Sequence, residues 1–223
     1  MGTYKKIKKT ENIIEQHSLV DIAYKRIKKL IIENNINPGE KIRQEKMAIE
    51  FGTSKIPVIQ ALNILSNERL IEKIPRKGFY VRKFSNRELN EIFELRIAIE
   101  LLSISKILQN ITDEIKKTLL DFKEKFNLFY NKKETKKYYD LDIKFHYFLI
   151  ASSKNDLIVT INNNYNLLLL GYIKGFVLDL ETSYRHHITL IDEMLNGNVN
   201  KAEKILKVHT NAVVNRIKDK VEN

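Results

Sequence analysis

The 223-residue sequence predicts a mostly α-helical protein, in which a small N-terminal domain with one β-hairpin precedes an all-helical bundle of about six helices. Three observations lead to this fold class. Apolar residues recur at helical spacing along most of the chain, turn and capping residues divide it into segments, and two short strand-like runs flank a basic turn at 75–78. We expect a mobile basic tail at 1–17, the first domain at 18–83 and the bundle at 84–223.

The N-terminal domain is predicted to begin with two amphipathic helices. The first covers 20–34 and ends before the turn NPG at 37–39, and the second is short and ends at Gly52. Two strands, LIEKI and GFYVR, follow on either side of the turn PRKG. The residues that line the buried faces of the two helices are Ala23, Ile27, Leu30, Ile31, Met47, Ala48 and Phe51.

A third helix lies between the second helix and the first strand, in the stretch GTSKIPVIQALNILSNERLI at 52–71. We expect Ser54 to cap it, with the hydroxyl accepting a hydrogen bond from a first-turn N–H. Pro57 then occupies the third helical position, where its missing N–H costs nothing because first-turn donors have no intrahelical partner. One face carries the buried stripe Val58, Ala61, Leu62 and Leu65, and the other carries Lys55, Ile56, Ile59, Gln60 and Asn63. Helix, tight turn, capped helix and basic hairpin predict a winged helix-turn-helix domain.

Composition and charge narrow the class of protein further. The chain has no cysteine, so it forms no disulfide, and any bound metal is held by nitrogen and oxygen ligands. The net charge is +11, and residues 1–82 carry 17 Lys and Arg against 9 Asp and Glu, whereas residues 83–223 carry 22 against 19. A basic surplus in the first third favours a polyanionic partner for that part. A lysine-rich solvated surface is the alternative explanation.

No segment has the character of a signal peptide or a membrane span. The N-terminal MGTYKKIKKTENIIEQ is basic but lacks an apolar core. The most apolar segment, LLLLGYIKGFVLDL at 167–180, is interrupted by Lys174 within about half the length that a span requires. We therefore predict a cytoplasmic protein that does not associate with membranes.

Residues 24–82 resemble the DNA-binding domain of the GntR superfamily of bacterial repressors. The resemblance rests on NPGEKI, MAIEFGTSKIPV followed by AL, ERLIE and RKGFYV, which occur in the family's order and spacing. It implies that the third helix enters the major groove of a palindromic DNA operator, that the wing reaches toward the minor groove, and that the protein is a homodimer. The positions that match DNA contacts or supply neighbouring polar and basic groups are Arg43, Ser54, Lys55, Ile56, Ile59, Gln60, Arg76, Lys77 and Gly78.

The third helix departs from the family pattern at four positions. The family usually has Ser-Arg-Thr-Pro-Val-Arg-Glu-Ala-Leu where this chain has SKIPVIQAL. An arginine fork reads O6 and N7 of guanine, whereas isoleucine offers only apolar contact, for example with a thymine methyl group. Two interpretations therefore stay open: Ile56 and Ile59 contact thymine, or one or both pack against neighbouring elements and touch no base.

The rest of the chain predicts six helices, at 86–109, 112–131, 134–152, 156–179, 181–196 and 199–220, separated by turn and capping residues. The chain has only five histidines. One of them, His146, stands four residues after Asp142, so the two side chains share a helix face and could hold one ion. This spacing alone is a weak signal, because a histidine satisfied within the core is the commoner case.

The bundle resembles the FCD ligand-binding domain of the FadR-type branch of the GntR superfamily. The matching segments are ELNEIFELRIAIELLSISKIL at 88–108, DLDIKFHYFLIASSKND from 140, and HHITLIDEMLNGNVNKAEKILKVH at 186–209. The resemblance implies a divalent metal ion, zinc, nickel or manganese, with coordination positions left open for a small ligand. The ligands implied by position are Asp142, His146, His187 and His209, with His187 rather than His186 in the family register.

Arg96 and Glu100 stand four residues apart on the first bundle helix and allow two interpretations. Arg96 pairs with the carboxylate of an effector, or the two residues form an ordinary intrahelical salt bridge. The chain is thus predicted to be a transcriptional regulator, specifically a repressor controlled by a small organic acid, and not an enzyme. The alternatives are a metal-dependent hydrolase or lyase with an accessory winged-helix domain, and a regulator that has lost DNA binding.

Overall fold

The structure is a computed structural model that describes residues 18–165 and 178–219. The described residues form nine helices and a small antiparallel sheet. The predicted fold class, a winged helix-turn-helix followed by an all-helical bundle, is confirmed. The predicted tail at 1–17 and residues 166–177 of the predicted helix at 156–179 lie outside the described residues.

The N-terminal part consists of α1 (Leu19–Ile32), β1 (Lys41–Ile42), α2 (Gln44–Phe51), α3 (Lys55–Asn67), β2 (Ile71–Ile74) and β3 (Gly78–Val81). The strands pair in the order β1-β3-β2, and Ile74 pairs with Gly78 across the three-residue tip of the wing. The sequence did not predict β1, because a strand of two residues is too short to show an alternating pattern.

The start of α3 differs from the prediction in one detail. Ser54 is the N-cap residue and Pro57 is the third residue of the helix, as predicted. The Ser54 side chain, however, makes no capping hydrogen bond among the described residues, so that predicted contact is wrong. The side chain is exposed, and water can satisfy the first-turn N–H groups there.

The bundle consists of α4 (Asn86–Gln109), α5 (Asp113–Asn131), α6 (Thr135–Ser152), α7 (Asp156–Tyr165), α8 (Leu180–Leu195) and α9 (Val199–Asp219). Each helix begins within one residue of its predicted start. The sequence predicted that residues 178 and 179 end a helix, but in the structure they lie outside any helix. Asp179 instead caps α8 by accepting a hydrogen bond from the backbone N–H of Thr182.

One apolar core continues from the winged helix into the bundle. The buried cluster built by α1, α3 and the sheet also contains Leu89 and Phe93 of α4, Leu178, and Val213 of α9. A second core, rich in phenylalanine, fills the space among α4, α5, α6, α8 and α9. None of the helices in the described parts of the chain is long and apolar enough to cross a membrane.

Candidate metal centre and DNA-binding surface

Three helices of the bundle bring one carboxylate and three imidazoles together in the core. Asp142 and His146 lie one turn apart on α6, His187 lies on α8 and His209 lies on α9. All four side chains are buried, and one potential ligand atom from each lies within 4.8 Å of all the others. Residues far apart in sequence thus form the compact, metal-binding type of cluster that the resemblance implied.

The distances within the cluster fit a single ion. His187 Nε2 lies 3.0 Å and His146 Nε2 lies 3.2 Å from Asp142 Oδ1, and the two Nε2 atoms are 3.3 Å apart. Two ligands about 2.1 Å from one metal, at tetrahedral or octahedral angles, lie about 3.0–3.4 Å from each other. The three atoms therefore already have the spacing of ligands that share one ion.

Outer contacts orient two of the imidazole rings. His146 Nδ1 lies 2.7 Å from Glu100 Oε2, so it carries the proton and donates to that carboxylate. This leaves the lone pair of His146 Nε2 directed at the centre of the cluster. His187 Nδ1 lies 2.9 Å from the Tyr138 hydroxyl and can donate to it when Nε2 is the ligand. Such partners fix the orientation of a histidine ligand and raise its basicity.

Glu100 connects the cluster to Arg96. The Nε atom of Arg96 lies 2.6 Å from Glu100 Oε1, and both side chains are buried. Burial alone would raise the pKa of Glu100, but Arg96 and His146 outweigh it and lower the pKa to about 2. The salt bridge that the sequence allowed is therefore present, as a buried pair rather than a surface one. Whether Arg96 also meets an effector stays a prediction.

The electrostatics of the cluster favour a cation. Burial would raise the pKa of Asp142, but His187 and His146 hold it well below its usual value. Burial lowers the pKa of His187, against the opposing effect of Asp142, and lowers that of His209 well below its usual value. Burial also acts to lower the pKa of His146, but Glu100 and Asp142 outweigh it and raise that pKa, so an incoming ion displaces any proton on His146 Nε2. In addition, His209 Nδ1 is buried with no hydrogen-bond partner in the described parts of the chain. An ionised carboxylate and neutral imidazoles are the protonation states that metal binding requires.

The structure separates the two adjacent histidines of α8. His187 belongs to the cluster, whereas His186 is only partly buried and its ring centre lies 5.7 Å from that of His209. The contribution of Tyr138 to the site was not predicted from the sequence. Its position four residues before Asp142, on the same helix face, is the signal that points to it.

The predicted DNA contacts lie on the exposed side of the winged helix. Arg43, Arg76, Lys77 and Gly78 line an open cleft of about 980 Å³ between α2 and the wing. Gly78 has φ +101°, a left-handed conformation that strains other residues. The wing tip therefore needs glycine there for its shape.

The outward face of α3 contains four further predicted contacts that are exposed, Ser54, Lys55, Ile56 and Gln60. Ile56 is 68% exposed and can therefore meet a base. Ile59, one turn further along, is partly buried. The two isoleucines thus differ in how much surface they offer to DNA.

A winged helix-turn-helix followed by a helical bundle with a buried histidine and aspartate cluster defines a DNA-binding transcriptional regulator with a sensory domain. The chain belongs to the gntR family of bacterial regulatory proteins, whose model matches residues 19–81, and it carries an FCD domain, whose model matches residues 91–212. The prediction that it is a regulator and not an enzyme is confirmed, and the comparisons give no support to the hydrolase alternative.

The relatives agree with this assignment. The chain is 26% identical over 204 residues to the HTH-type transcriptional regulator YdhC of Bacillus subtilis, which covers 89% of this chain and 91% of that protein. It is 23% identical over 210 residues to the gluconate operon transcriptional repressor of Bacillus subtilis, covering 92% and 85%. Among solved structures, Escherichia coli McbR/YncC superposes with a TM-score of 0.76 at 18% identity, covering 92% of this chain and 99% of that one.

A further solved structure corresponds to the bundle alone. The metal-free FCD domain of another transcriptional regulator has a TM-score of 0.53 and 23% identity, covering 63% of this chain and 99% of that one. At this level of identity the likeness concerns the fold.

Proposed function

We propose that this protein is a transcriptional repressor that binds a palindromic operator as a homodimer, and that a small organic acid bound at a metal ion in the FCD domain controls its DNA affinity. The observation that carries the proposal is the buried cluster of Asp142, His146, His187 and His209, whose ligand atoms lie within 4.8 Å of one another. A relative that is named as the repressor of a gluconate operon supports an organic acid as the signal.

The chemistry of the cluster favours zinc, nickel or manganese as the resident ion. Imidazoles suit zinc and nickel, and a carboxylate ligand also suits manganese. Four protein ligands leave positions open on a six-coordinate ion, which a carboxylate or hydroxyl of a metabolite can occupy. A divalent ion together with Arg96, Asp142 and Glu100 gives the buried site one net positive charge, which favours an anionic ligand.

Arg96 is the residue that we propose to assist the anion. Arg96 and His146 bind the two oxygens of the same Glu100 carboxylate, at 2.6 and 2.7 Å. The guanidinium therefore lies beside the imidazole cluster, where its positive charge favours an anionic ligand. Glu100 holds it in place through Nε.

On the DNA side, we propose that Arg43, Arg76 and Lys77 contact phosphates while α3 lies in the major groove. The residues at the start and on the outward face of α3 then face the base edges or the adjoining backbone, namely Ser54, Lys55, Ile56, Ile59 and Gln60, and Gly78 lets the wing tip approach the minor groove. The proposed domains are 18–83 for DNA and 84–223 for effector binding and dimerisation, after a basic tail at 1–17. Because operators lie in the cytoplasm of bacteria, we propose that location for the protein.

One experiment tests the proposal in two stages. Elemental analysis and native mass spectrometry of the purified protein identify the bound ion and any retained acid. A mobility-shift titration against its own upstream DNA, with a panel of small organic acids, then measures the effect of each acid on DNA affinity. We expect one equivalent of metal per chain and an acid that weakens DNA binding. A protein without bound metal would contradict the proposed metal site, and a protein that binds no DNA would contradict the proposed operator binding. If no acid changes the DNA affinity, the proposed control by an organic acid is wrong.

A further inference from the structure

An exposed ion pair joins α2 and α3, the two helices of the helix-turn-helix, at the start of α3. Lys55 is the first residue of α3, and its Nζ lies 2.8 Å from Oε1 of Glu45 on α2. Glu45 also lines the cleft between α2 and the wing, beside Arg43 and Lys77. A carboxylate therefore stands among the basic groups that face the DNA.

Neither stability nor DNA affinity explains why a carboxylate stands here. Both side chains are more than half exposed, 55% for Lys55 and 64% for Glu45, and exposed pairs of this kind contribute little to stability. The hydrogen bond from Lys55 lowers the pKa of Glu45, so the side chain is ionised. A negative charge at this surface repels phosphates and weakens binding to every sequence. The role that remains for the Glu45 carboxylate is to discriminate between DNA sequences.

The geometry of the pair matches the major-groove edge of a G·C base pair. The N-terminal residues of a recognition helix contact base edges, so DNA that meets Lys55 also meets the Glu45 carboxylate. Guanine O6 and cytosine N4 are partners in one Watson–Crick hydrogen bond and lie about 2.9 Å apart. Lysine donates to O6 and N7 of guanine, and glutamate accepts from N4 of cytosine.

The reversed base pair does not fit. With C·G in place of G·C, the ammonium group would face the N4 donor and the carboxylate would face the O6 and N7 acceptors. A T·A pair presents an acceptor and a donor in the correct order, but it has no N7 beneath Lys55 and places the N7 acceptor of adenine near Glu45. The pair therefore favours one base pair in one orientation.

We propose that Glu45 and Lys55 form one recognition unit that selects a G·C base pair with guanine beneath Lys55 and cytosine beneath Glu45. This inference rests on the proposed function, because it requires α3 to lie in the major groove. It makes Glu45 a specificity-determining residue in addition to the DNA contacts that the sequence predicted.

The test is selection of binding sites from a random DNA pool by the full-length protein and its variants. Glu45→Gln keeps the size of the side chain and removes its charge. Because glutamine pairs with N6 and N7 of adenine, we expect the preference for cytosine to fall about tenfold at one base-pair position in each half of the palindromic operator. The preferences at the other positions should not change. The double variant Glu45→Lys with Lys55→Glu should invert that step from G·C to C·G.

A matched control uses an exposed pair on α4, Arg87 with Glu91, whose Nε and Oε1 atoms are 2.8 Å apart. Exchanging these two charges should leave the selected sequence unchanged. If Glu45→Gln selects the wild-type base at every step, the inference is wrong, and this variant decides the matter if the exchanged Glu45–Lys55 pair binds no DNA. A wild-type protein that selects no sequence contradicts the proposed function instead.

Discussion

At the scale of single residues, the candidate metal centre includes only one of two adjacent histidines of α8. His187 Nε2 lies 3.0 Å from Asp142 Oδ1, and its ring stacks on Phe126 with the ring centres 4.7 Å apart. His186 is not part of the cluster and is partly buried. Removing one of four ligands greatly weakens metal binding. We therefore expect His187→Ala to lose the ion and His186→Ala to retain it. Metal content after stripping and reloading is the measurement, and equal contents in the two variants would contradict the assignment.

Glu100 gives a second prediction at this scale. Its carboxylate accepts from His146 Nδ1 and from Arg96 Nε at 2.7 and 2.6 Å. Glu100→Gln keeps the shape but weakens both contacts, so we expect metal affinity to fall about 10- to 100-fold. Tyr138→Phe, which removes only the hydroxyl bonded to His187, should lower metal affinity by less. Isothermal titration with zinc measures both.

The same titration needs a control for damage to the fold. Glu94→Gln changes an exposed carboxylate on the same helix and should bind zinc like the wild type. If Glu100→Gln binds zinc with wild-type affinity while its thermal stability falls, then Glu100 supports the bundle and does not orient His146.

The sequence predicted the four candidate ligands but not their supporting contacts, for a physical reason. The ligand set belongs to a family pattern with fixed spacing, so residue order was enough. The contact of Glu100 with His146 spans 46 positions and depends on how α4 packs against α6. No local periodicity reveals such a contact.

At the scale of elements, capping residues explain why helix starts were predicted well. Ser85 caps α4 through a reciprocal arrangement with Glu88, and Thr112 caps α5, and both signals are visible in the sequence. The end of the helix predicted at 156–179 was placed incorrectly at 178–179, because apolar residues run up to Asp179, which is the N-cap residue of α8. The hydrophobic pattern does not mark the start of α8, whereas the capping residue does.

The recognition helix carries the next prediction. If Ile59 meets a thymine methyl group, Ile59→Arg introduces a guanidinium and should shift the selected operator toward guanine at that step. A good bidentate contact contributes about 1–3 kcal/mol of discrimination. Ile59→Ala should weaken binding by less, since only apolar contact is lost. Selection from a random DNA pool measures both effects.

Ile56 provides the comparison for Ile59 because it is 68% exposed and lies on the same face of α3. Ile56→Ala should weaken binding to sites with thymine at its step without lowering thermal stability. Should both Ile59 variants select the wild-type sequence with wild-type affinity while losing thermal stability, the partly buried Ile59 packs internally and reads no base.

At the scale of the whole molecule, α6 connects the candidate metal centre to the winged helix. The Nζ atom of Lys136, at the start of α6, lies 3.6 Å from Oε1 of Glu33 at the end of α1. Tyr138 contacts His187, and its neighbour Tyr139 donates a hydrogen bond of 2.6 Å to the carbonyl oxygen of Leu178. Leu178 belongs to the apolar core of the winged helix. A change at the candidate metal centre therefore has a contiguous route to the winged helix.

This route predicts that Tyr139→Phe uncouples the two sites while leaving each intact. The variant lacks the hydroxyl bonded to Leu178 but keeps the ring. We therefore expect unchanged zinc affinity and unchanged operator affinity without effector. The acid identified by mobility shift should change operator affinity less than in the wild type, by a factor of about 5 for one hydrogen bond of about 1 kcal/mol. Tyr147→Phe, on the same helix but 43% exposed, is the matched control and should respond like the wild type. If Tyr139→Phe keeps the full response to the acid, coupling does not pass through this hydrogen bond, and the continuous core around Phe93 and Val213 must transmit it instead.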